Sequence, residues 1–215
     1  GAHAATVFNS GMAAIMTALL AVLRPGDSLV YTVPIYGGTQ TLIQSFLDPF
    51  GVRGIAVAGG QGEAIDAAIR KAPNPRVVLV ETPANPTMVM TDIRRVVKTC
   101  AVMAEPPLVM IDNTFLGPAF QHPLALGADV SLYSATKYLG GFSDIIGGVA
   151  LSKDVGLMNK IRSKRSLFGN ILQPDECWLL DTRLPTVHLR MNRQSKNAQR
   201  IAEALAKHPK IRRIY

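Results

Sequence analysis

The stretch RPGDSLVYTVPIYGG, residues 24–38, contains a turn that ends a helix and then a strand, and the fold of the chain is predicted from this succession. Before it, apolar residues recur with helical periodicity from Met12 to about Leu23, and the RPGD turn ends that helix. The six residues SLVYTV form a short apolar run that is typical of a buried strand. Tyr36 then follows the end of this strand. A helix that leads into a buried strand is the repeating unit of an α/β protein.

The same alternation continues along the chain. Predicted helices begin near residue 39, span 63–71 and begin near residue 92, and residues 175–207 are mainly helical with a break at Pro185. Predicted strands are 52–57, RVVLVE ending at Glu81, LVMID ending at Asp112, DVSLYS and IIGGVALS. Because single helices separate the strands, the sequence predicts right-handed crossovers and a mostly parallel sheet flanked by helices on both faces.

The composition is that of one globular domain. With 215 residues and 48% hydrophobic content, the chain can bury a sizeable core. The net charge is +8, but the basic residues between Lys153 and Arg213 have no interleaved aromatics and no zinc-finger spacing, which argues against a nucleic-acid partner. Cys100 and Cys177 fit neither a disulfide framework nor a metal site. We find no membrane-span-like run and no leader, so we expect a cytoplasmic protein without a membrane partner.

Polar side chains lie at the ends of four predicted strands. Tyr36 follows the first of these strands, Glu81 and Asn85 lie at and after the second, Asp112 ends the third, and Lys137 follows the fourth. In open α/β sheets, ligands bind outside the carboxyl ends of the strands. The sequence therefore predicts one crevice that contains an aromatic ring, two carboxylates, an amide and an amine.

Lys137 lies in the stretch SLYSATKYLGG, behind the hydroxyls of Ser134 and Thr136 and ahead of two glycines. Most lysines are solvated surface charges, and that interpretation applies here as well. However, an amine at the end of a buried strand is expected to be desolvated, and desolvation favours the neutral amine that attacks a carbonyl. The context favours a lysine that forms an imine with an aldehyde cofactor carrying an anion.

The segment NSGMAAIMTALL predicts a phosphate site at a helix start. Ser10, Gly11 and Met12 lie where free backbone N–H groups and the helix dipole can hold an anion. A plain N-cap serine explains the same residues without a ligand. The chain has no Walker motif and no G-x-G-x-x-G unit, which weakens a nucleotide-binding interpretation.

An imine-forming lysine together with an anion site points to pyridoxal 5′-phosphate as the cofactor. This cofactor also needs a carboxylate that keeps its pyridine nitrogen protonated, and Asp112 fits that role. Tyr36 can stack on the ring, and Asn85 can donate to the phenolic oxygen. Each residue also has a structural interpretation: Asp112 and Asn85 can be turn residues, and Tyr36 can be packed on the core.

Five motifs in this chain, NSGMAA, IYGGT, ETPANPT, IDNT and YSATKYLGG, have the order and spacing of the Cys/Met metabolism family of pyridoxal-phosphate enzymes. The chain resembles that family over essentially all of its length. The resemblance implies that Lys137 bonds covalently to the cofactor, that Asp112 pairs with the pyridine nitrogen, and that Tyr36 stacks on the ring and assists proton transfer. It places Asn85 near the phenolic oxygen and gives Glu81 and Thr114 supporting roles. The phosphate would be held by Gly11, Met12, Ser134 and Thr136.

The chain departs from the family pattern in two ways. Phe142, in GGFSD, stands where the family usually has histidine, so a polar contact made there is lost. The family's N-terminal arm and the C-terminal domain that holds the substrate carboxylate have no counterpart here. We therefore expect residues 1–185 to be the cofactor-binding large domain, of the aspartate aminotransferase-like fold type, and residues 186–215 to be a helical segment leading to a further domain.

The resemblance implies C–S bond chemistry on a sulfur amino acid, by a homotetramer in the family's manner. The motifs IYGGT and YSATKY favour γ-elimination from cystathionine, methionine or homocysteine. The alternative within the class is γ-replacement, as in a cystathionine γ-synthase or an O-acylhomoserine sulfhydrylase. Outside the class, a non-catalytic cofactor-binding or regulatory module and a nucleotide-binding domain stay open. A nucleotide-binding domain would bind adenine nucleotides and would have no yellow colour.

Overall fold

A seven-stranded sheet forms the centre of the computed structural model, which describes residues 1–214. The strands are β1 Ala4–Phe8, β2 Ser28–Val33, β3 Arg53–Ala58, β4 Pro75–Glu81, β5 Leu108–Asp112, β6 Val130–Ser134 and β7 Gly148–Ser152. Their order across the sheet is β1-β7-β6-β5-β4-β2-β3. The five strands β3, β2, β4, β5 and β6, adjacent in that order, pair in parallel. The strand β7 is antiparallel to both β6 and β1. The prediction of a mostly parallel sheet is confirmed.

Seven α-helices connect and cover these strands within residues 1–214. They are α1 Gly11–Leu20, α2 Gly37–Leu42, α3 Gly62–Lys71, α4 Ile93–Ala101, α5 Val155–Phe168, α6 Pro174–Arg183 and α7 Val187–Ala206. The second helix continues as a π-helical segment, Ile43–Leu47. A short 3-10 turn, Leu184–Thr186, separates α6 from α7, where the sequence predicts a break at Pro185.

The sheet has a hydrophobic core on each face, because alternate residues of its strands point to opposite sides. Leu79 and Met110 belong to the core formed with α1 and α5. Val78 and Ile111 belong to the core formed with α3 and α4. A strand that is buried on both faces is apolar throughout, which is why runs such as RVVLVE predict their strands well.

The strand β1 and the helix α5 are not predicted by the sequence patterns. The strand is short and lies at the edge of the sheet, where β7 is its only partner within residues 1–214, and Ala4 is opposite Ser152. The helix carries Arg162 and Arg165, whose guanidinium groups donate to the carbonyl oxygens of Ala5 and Val7 at 2.8 and 2.9 Å. These arginines hold an exposed sheet edge, and their structural role interrupts the apolar periodicity of α5.

Within residues 1–214, the last helix is buried only in its first turns. Val187 and Met191 are buried, whereas residues 192–206 are exposed apart from the partly buried Ala202. The boundary between a large domain and a C-terminal segment near residue 185 stays a prediction.

Candidate active site

A cavity of about 280 Å³ opens at the carboxyl edge of the parallel strands, where the sequence predicts a crevice. It collects side chains from the ends of β4, β5 and β6, from the start of α1 and from the loop after β2. The predicted site residues that line it are Gly11, Met12, Tyr36, Asn85, Asp112, Ser134, Thr136 and Lys137, together with Glu81 and Thr114. Residues far apart in the sequence therefore surround one space.

Asp112 is buried and presents one free oxygen to the site. Its Oδ1 accepts hydrogen bonds from the backbone N–H and the hydroxyl of Thr114, at 3.1 and 2.6 Å. Its Oδ2 has no hydrogen-bond partner among residues 1–214. Burial raises the pKa of the Asp112 carboxyl, and the two bonds from Thr114 oppose that rise. A cationic partner at Oδ2 would favour the ionised form.

Lys137 lines the cavity, but it is exposed in this chain, so the expectation of a desolvated amine is wrong for the described structure. The physical reason is its position three residues beyond the end of β6, in a turn rather than on the strand. The Lys137 N–H donates to the Ser134 carbonyl at 3.2 Å, and the Gly141 N–H donates to the Lys137 carbonyl at 2.8 Å. The backbone around the amine is fixed even though the side chain is open to solvent.

The start of α1 is packed closely against the end of β6. Ser10 caps the helix by accepting a hydrogen bond from the Ala13 N–H at 3.0 Å. A Cβ on Gly11 would lie 2.9 Å from Ser134 Cβ, so only glycine allows this approach. The Gly11 and Met12 N–H groups precede the first intrahelical bond and have no partner among residues 1–214. The Ser134 hydroxyl has no hydrogen-bond partner in this range either. These three donors point to one end of the cavity, and their contact with a phosphate stays a prediction.

Thr136 takes part in a different contact from the predicted one. Its hydroxyl accepts a hydrogen bond from the Gly147 N–H at 3.1 Å and lies 3.4 Å from the Gly147 carbonyl oxygen. The side chain therefore joins the Lys137 turn to the start of β7. A further contact with phosphate stays a prediction for this residue.

Glu81 connects the two loops that carry Tyr36 and Asn85. Its Oε2 accepts the Tyr36 N–H at 2.6 Å, and its Oε1 accepts the Asn85 N–H at 2.8 Å. Burial raises the pKa of the Glu81 carboxyl, the two N–H groups lower it, and the charge of Asp112 raises it further. The ring of Tyr36 is 48% exposed, which leaves it available to a ligand in the cavity.

The sequence reasoning missed two groups of residues at this site. Ile15, Pro83, Phe115 and Ile146 form apolar parts of the cavity wall. Beneath the site, the buried Asn113 amide exchanges hydrogen bonds with Gln121, and Gln121 also donates to the Thr82 carbonyl at 2.9 Å. Asn113 is adjacent to Asp112 in the IDNT motif and is recognisable from it, whereas Gln121 lies in a loop that gives no sequence signal.

Phe142 takes part in a cation–π cluster in place of the polar contact expected of histidine. The guanidinium carbons of Arg183 and Arg190 lie 4.9 and 5.6 Å from the centre of its ring. Arg183 also forms a bidentate ion pair with Asp144. Arg190 donates to the carbonyl oxygens of Tyr138 and Leu139. The loop that follows Lys137 is thus held by arginines of α6 and α7.

The donor set fits pyridoxal 5′-phosphate. A helix start with free N–H groups, which a Cβ on Gly11 would obstruct, suits the phosphate. The unpartnered Oδ2 of Asp112 suits a protonated pyridine nitrogen, and Lys137 supplies an amine within the same cavity. In residues 1–214 we find no group of His, Cys, Asp and Glu side chains that could hold a metal ion. No helix in that range is both long and apolar enough to span a membrane.

Comparisons with known proteins agree with these features. A family model described as Cys/Met metabolism PLP-dependent enzyme matches residues 1–215. The chain is 40% identical to "Cystathionine beta-lyase MetC" and 38% identical to "Cystathionine gamma-lyase", both of Bacillus subtilis, over 97% and 99% of its length. It is 41% identical to "Cystathionine gamma-synthase" of Mycobacterium tuberculosis over 96% of its length. It covers 52%, 55% and 52% of these proteins, so the chain spans about half the length of the curated relatives it matches.

Solved structures show the same relationship. A structure described as metB from Corynebacterium glutamicum superposes with a TM-score of 0.94 at 36% identity. The cystathionine gamma-lyase from Lactobacillus plantarum, complexed with L-serine, superposes with a TM-score of 0.93 at 40% identity. The two alignments cover 99% and 100% of this chain and 54% and 55% of those chains. The predicted fold class is confirmed.

Proposed function

Because this chain belongs to the Cys/Met metabolism family of PLP-dependent enzymes, we propose that the protein cleaves the C–S bond of a sulfur amino acid by γ-elimination. The observation that carries the proposal is the cavity that combines Lys137, Asp112 and Tyr36 with the anion site at the start of α1. Cystathionine, methionine and homocysteine are the proposed substrates. We also propose that the protein works as a cytoplasmic homotetramer.

The residues of the cavity have distinct parts in this chemistry. Pyridoxal 5′-phosphate, when bound, supplies an electron sink for the negative charge that develops at Cα of the amino acid. Lys137 would hold the cofactor, and its amine would move protons between Cα and Cβ of the substrate. Asp112 would supply the carboxylate that keeps the pyridine nitrogen protonated. Tyr36 would pack on the ring and assist proton transfer.

The type of reaction follows from what happens after the γ-substituent leaves. Elimination with water gives a 2-oxoacid and ammonia, whereas capture by a thiol gives a new thioether. IYGGT and YSATKY support elimination. Relatives named for different reactions have nearly the same identity to this chain, 40% for a β-lyase, 38% for a γ-lyase and 41% for a γ-synthase. Overall similarity therefore does not select among the reactions, and the γ-synthase relative supports γ-replacement as the second candidate.

Product analysis with cystathionine tests the proposal directly. We expect the complete protein to release 2-oxobutanoate, ammonia and cysteine without an added thiol. Pyruvate with homocysteine would instead identify β-elimination. Rapid formation of cystathionine from O-acylhomoserine and cysteine, with only a trace of 2-oxoacid, would replace the proposal by γ-replacement. A protein that binds the cofactor but forms none of these products would be a non-catalytic module.

A further inference from the structure

The two oxygens of the Glu81 carboxylate are each used by a different loop. Glu81 is the last residue of β4, and only 5% of its surface is exposed. One oxygen accepts the Tyr36 N–H at 2.6 Å, and the other accepts the Asn85 N–H at 2.8 Å. Both donors are backbone groups, so the carboxylate fixes the backbone position of these residues and does not contact their side chains through these bonds.

This carboxylate is the connection between the two loops. Tyr36 follows β2, and Asn85 follows β4, and no other hydrogen bond in the described range 1–214 joins residues 34–36 to residues 82–86. The Tyr36 side chain and the Asn85 side chain both line the cavity. Without Glu81, the distance between these two groups would depend on the flexibility of each loop.

We propose that Glu81 is a positioning residue that fixes Tyr36 and Asn85 relative to each other by holding both of their backbones. The inference deepens the proposed function and rests on it for the kinetic effect, but the structural part concerns this chain alone. Glu81 acts through the two residues that it holds.

The chemistry of the side chain explains why a carboxylate is needed here. Two N–H donors approach from two loops, and only a carboxylate offers an acceptor to each. Glutamine has nearly the same shape but one acceptor oxygen, so its amide N–H₂ would face one of the backbone N–H groups. Glu81→Gln therefore removes one of the two hydrogen bonds to the loops with little change in packing. Hydrogen bonds to a carboxylate are stronger than those between neutral groups, so the loss should be measurable.

A matched control is available elsewhere in the fold. Asp66, in α3, is also buried and also accepts two hydrogen bonds, from Arg95 Nε at 2.9 Å and from the Thr99 hydroxyl at 2.6 Å. It does not line the cavity. Asp66→Asn thus removes one of two comparable contacts between helices without altering the two loops.

Hydrogen exchange of the cofactor-free protein tests the structural part. In Glu81→Gln we expect amide exchange at Tyr36 or Asn85 to rise roughly tenfold or more, since a charge-assisted hydrogen bond to that N–H is lost. The amides of Met110 and Ile111 in β5 should exchange at the wild-type rate. Asp66→Asn should leave Tyr36 and Asn85 unchanged. Equal increases in the loops and in β5 would show a general loss of stability and would overturn the proposal.

Kinetics of the loaded protein provide the second readout. Misplaced Tyr36 and Asn85 should lower kcat, by up to about 10²-fold, with a smaller change in KM. In a protein that already carries Tyr36→Phe, Glu81→Gln should lower kcat less than it does in wild type, because both substitutions act through Tyr36. Fully additive effects would overturn the inference. If wild-type protein shows no C–S cleavage, the proposed function fails while the exchange result still decides the role of Glu81.

Discussion

At the scale of single residues, the proposed chemistry depends most on Lys137, which is the only lysine among the residues lining the cavity. We expect Lys137→Ala to abolish the visible absorption band of the bound cofactor and all turnover, because no other amine in the cavity can bond to the aldehyde. Absorption spectroscopy and the product assay measure both effects. Lys153→Ala, at an exposed residue that follows β7, is the control and should keep the band. An unchanged spectrum in Lys137→Ala would refute the assignment.

The charge of Asp112 gives a pH-dependent prediction. Burial raises the pKa of its carboxyl in the folded chain, so ionisation opposes folding when no cofactor is bound. Its contribution to stability is present below the unfolded pKa of about 3.9 and is lost as the pH rises through the raised folded value. Cofactor-free Asp112→Asn should therefore be more stable than wild type at pH 8, and the difference should be smaller at pH 4, close to the unfolded value. Denaturant unfolding at both pH values measures it.

The same substitution should affect catalysis in the opposite direction. With Asn at position 112, the pyridine nitrogen can lose its proton while the phosphate contacts remain. We expect turnover to fall roughly 10²-fold, with a smaller loss of cofactor affinity. Titration of the cofactor together with turnover per bound cofactor separates the two. If affinity collapses and turnover per bound cofactor is normal, Asp112 has a structural role instead.

At the scale of elements, the loop between Lys137 and β7 is attached to α6 and α7 through Phe142. Two arginines lie on its exposed ring, at 4.9 and 5.6 Å. Phe142→Leu should lower the free energy of unfolding by about 1 kcal/mol, since exposed cation–π contacts contribute about 0.5–1 kcal/mol each. Urea unfolding measures this loss. Phe120→Leu, at a half-exposed ring with no cation on it in residues 1–214, should cost clearly less, and equal losses would argue against the cluster.

At the scale of the whole molecule, large apolar side chains of α5, α6 and α7 are exposed. Leu167, Trp178 and Leu189 are 73%, 66% and 72% accessible. We expect the complete protein to be a dimer of active dimers, whereas residues 1–215 alone should bind the cofactor weakly and associate poorly. Equilibrium sedimentation of both chains, with and without cofactor, provides the measurement. A complete protein that is monomeric and fully active would contradict this expectation.

The sequence by itself determined the alternation of helices and strands and the position of the site at the strand ends. Runs such as RVVLVE and LVMID are apolar because both faces of their strands are buried, and that pattern is local. The rule that ligands bind at the carboxyl ends of parallel strands then brought Tyr36, Asp112 and Lys137 to one edge. Neither step required knowledge of which strands are neighbours.

Only the tertiary structure decided the features that depend on distant partners. The strand β1 exists through its pairing with β7, and the contact between Glu81 and Tyr36 joins residues 45 positions apart. Lys137 follows an apolar strand, yet it is exposed, because the turn after β6 carries it out of the sheet. Local patterns report the burial of a segment. Which strand it pairs with, which residue a side chain contacts and how exposed one side chain is depend on how distant segments pack together.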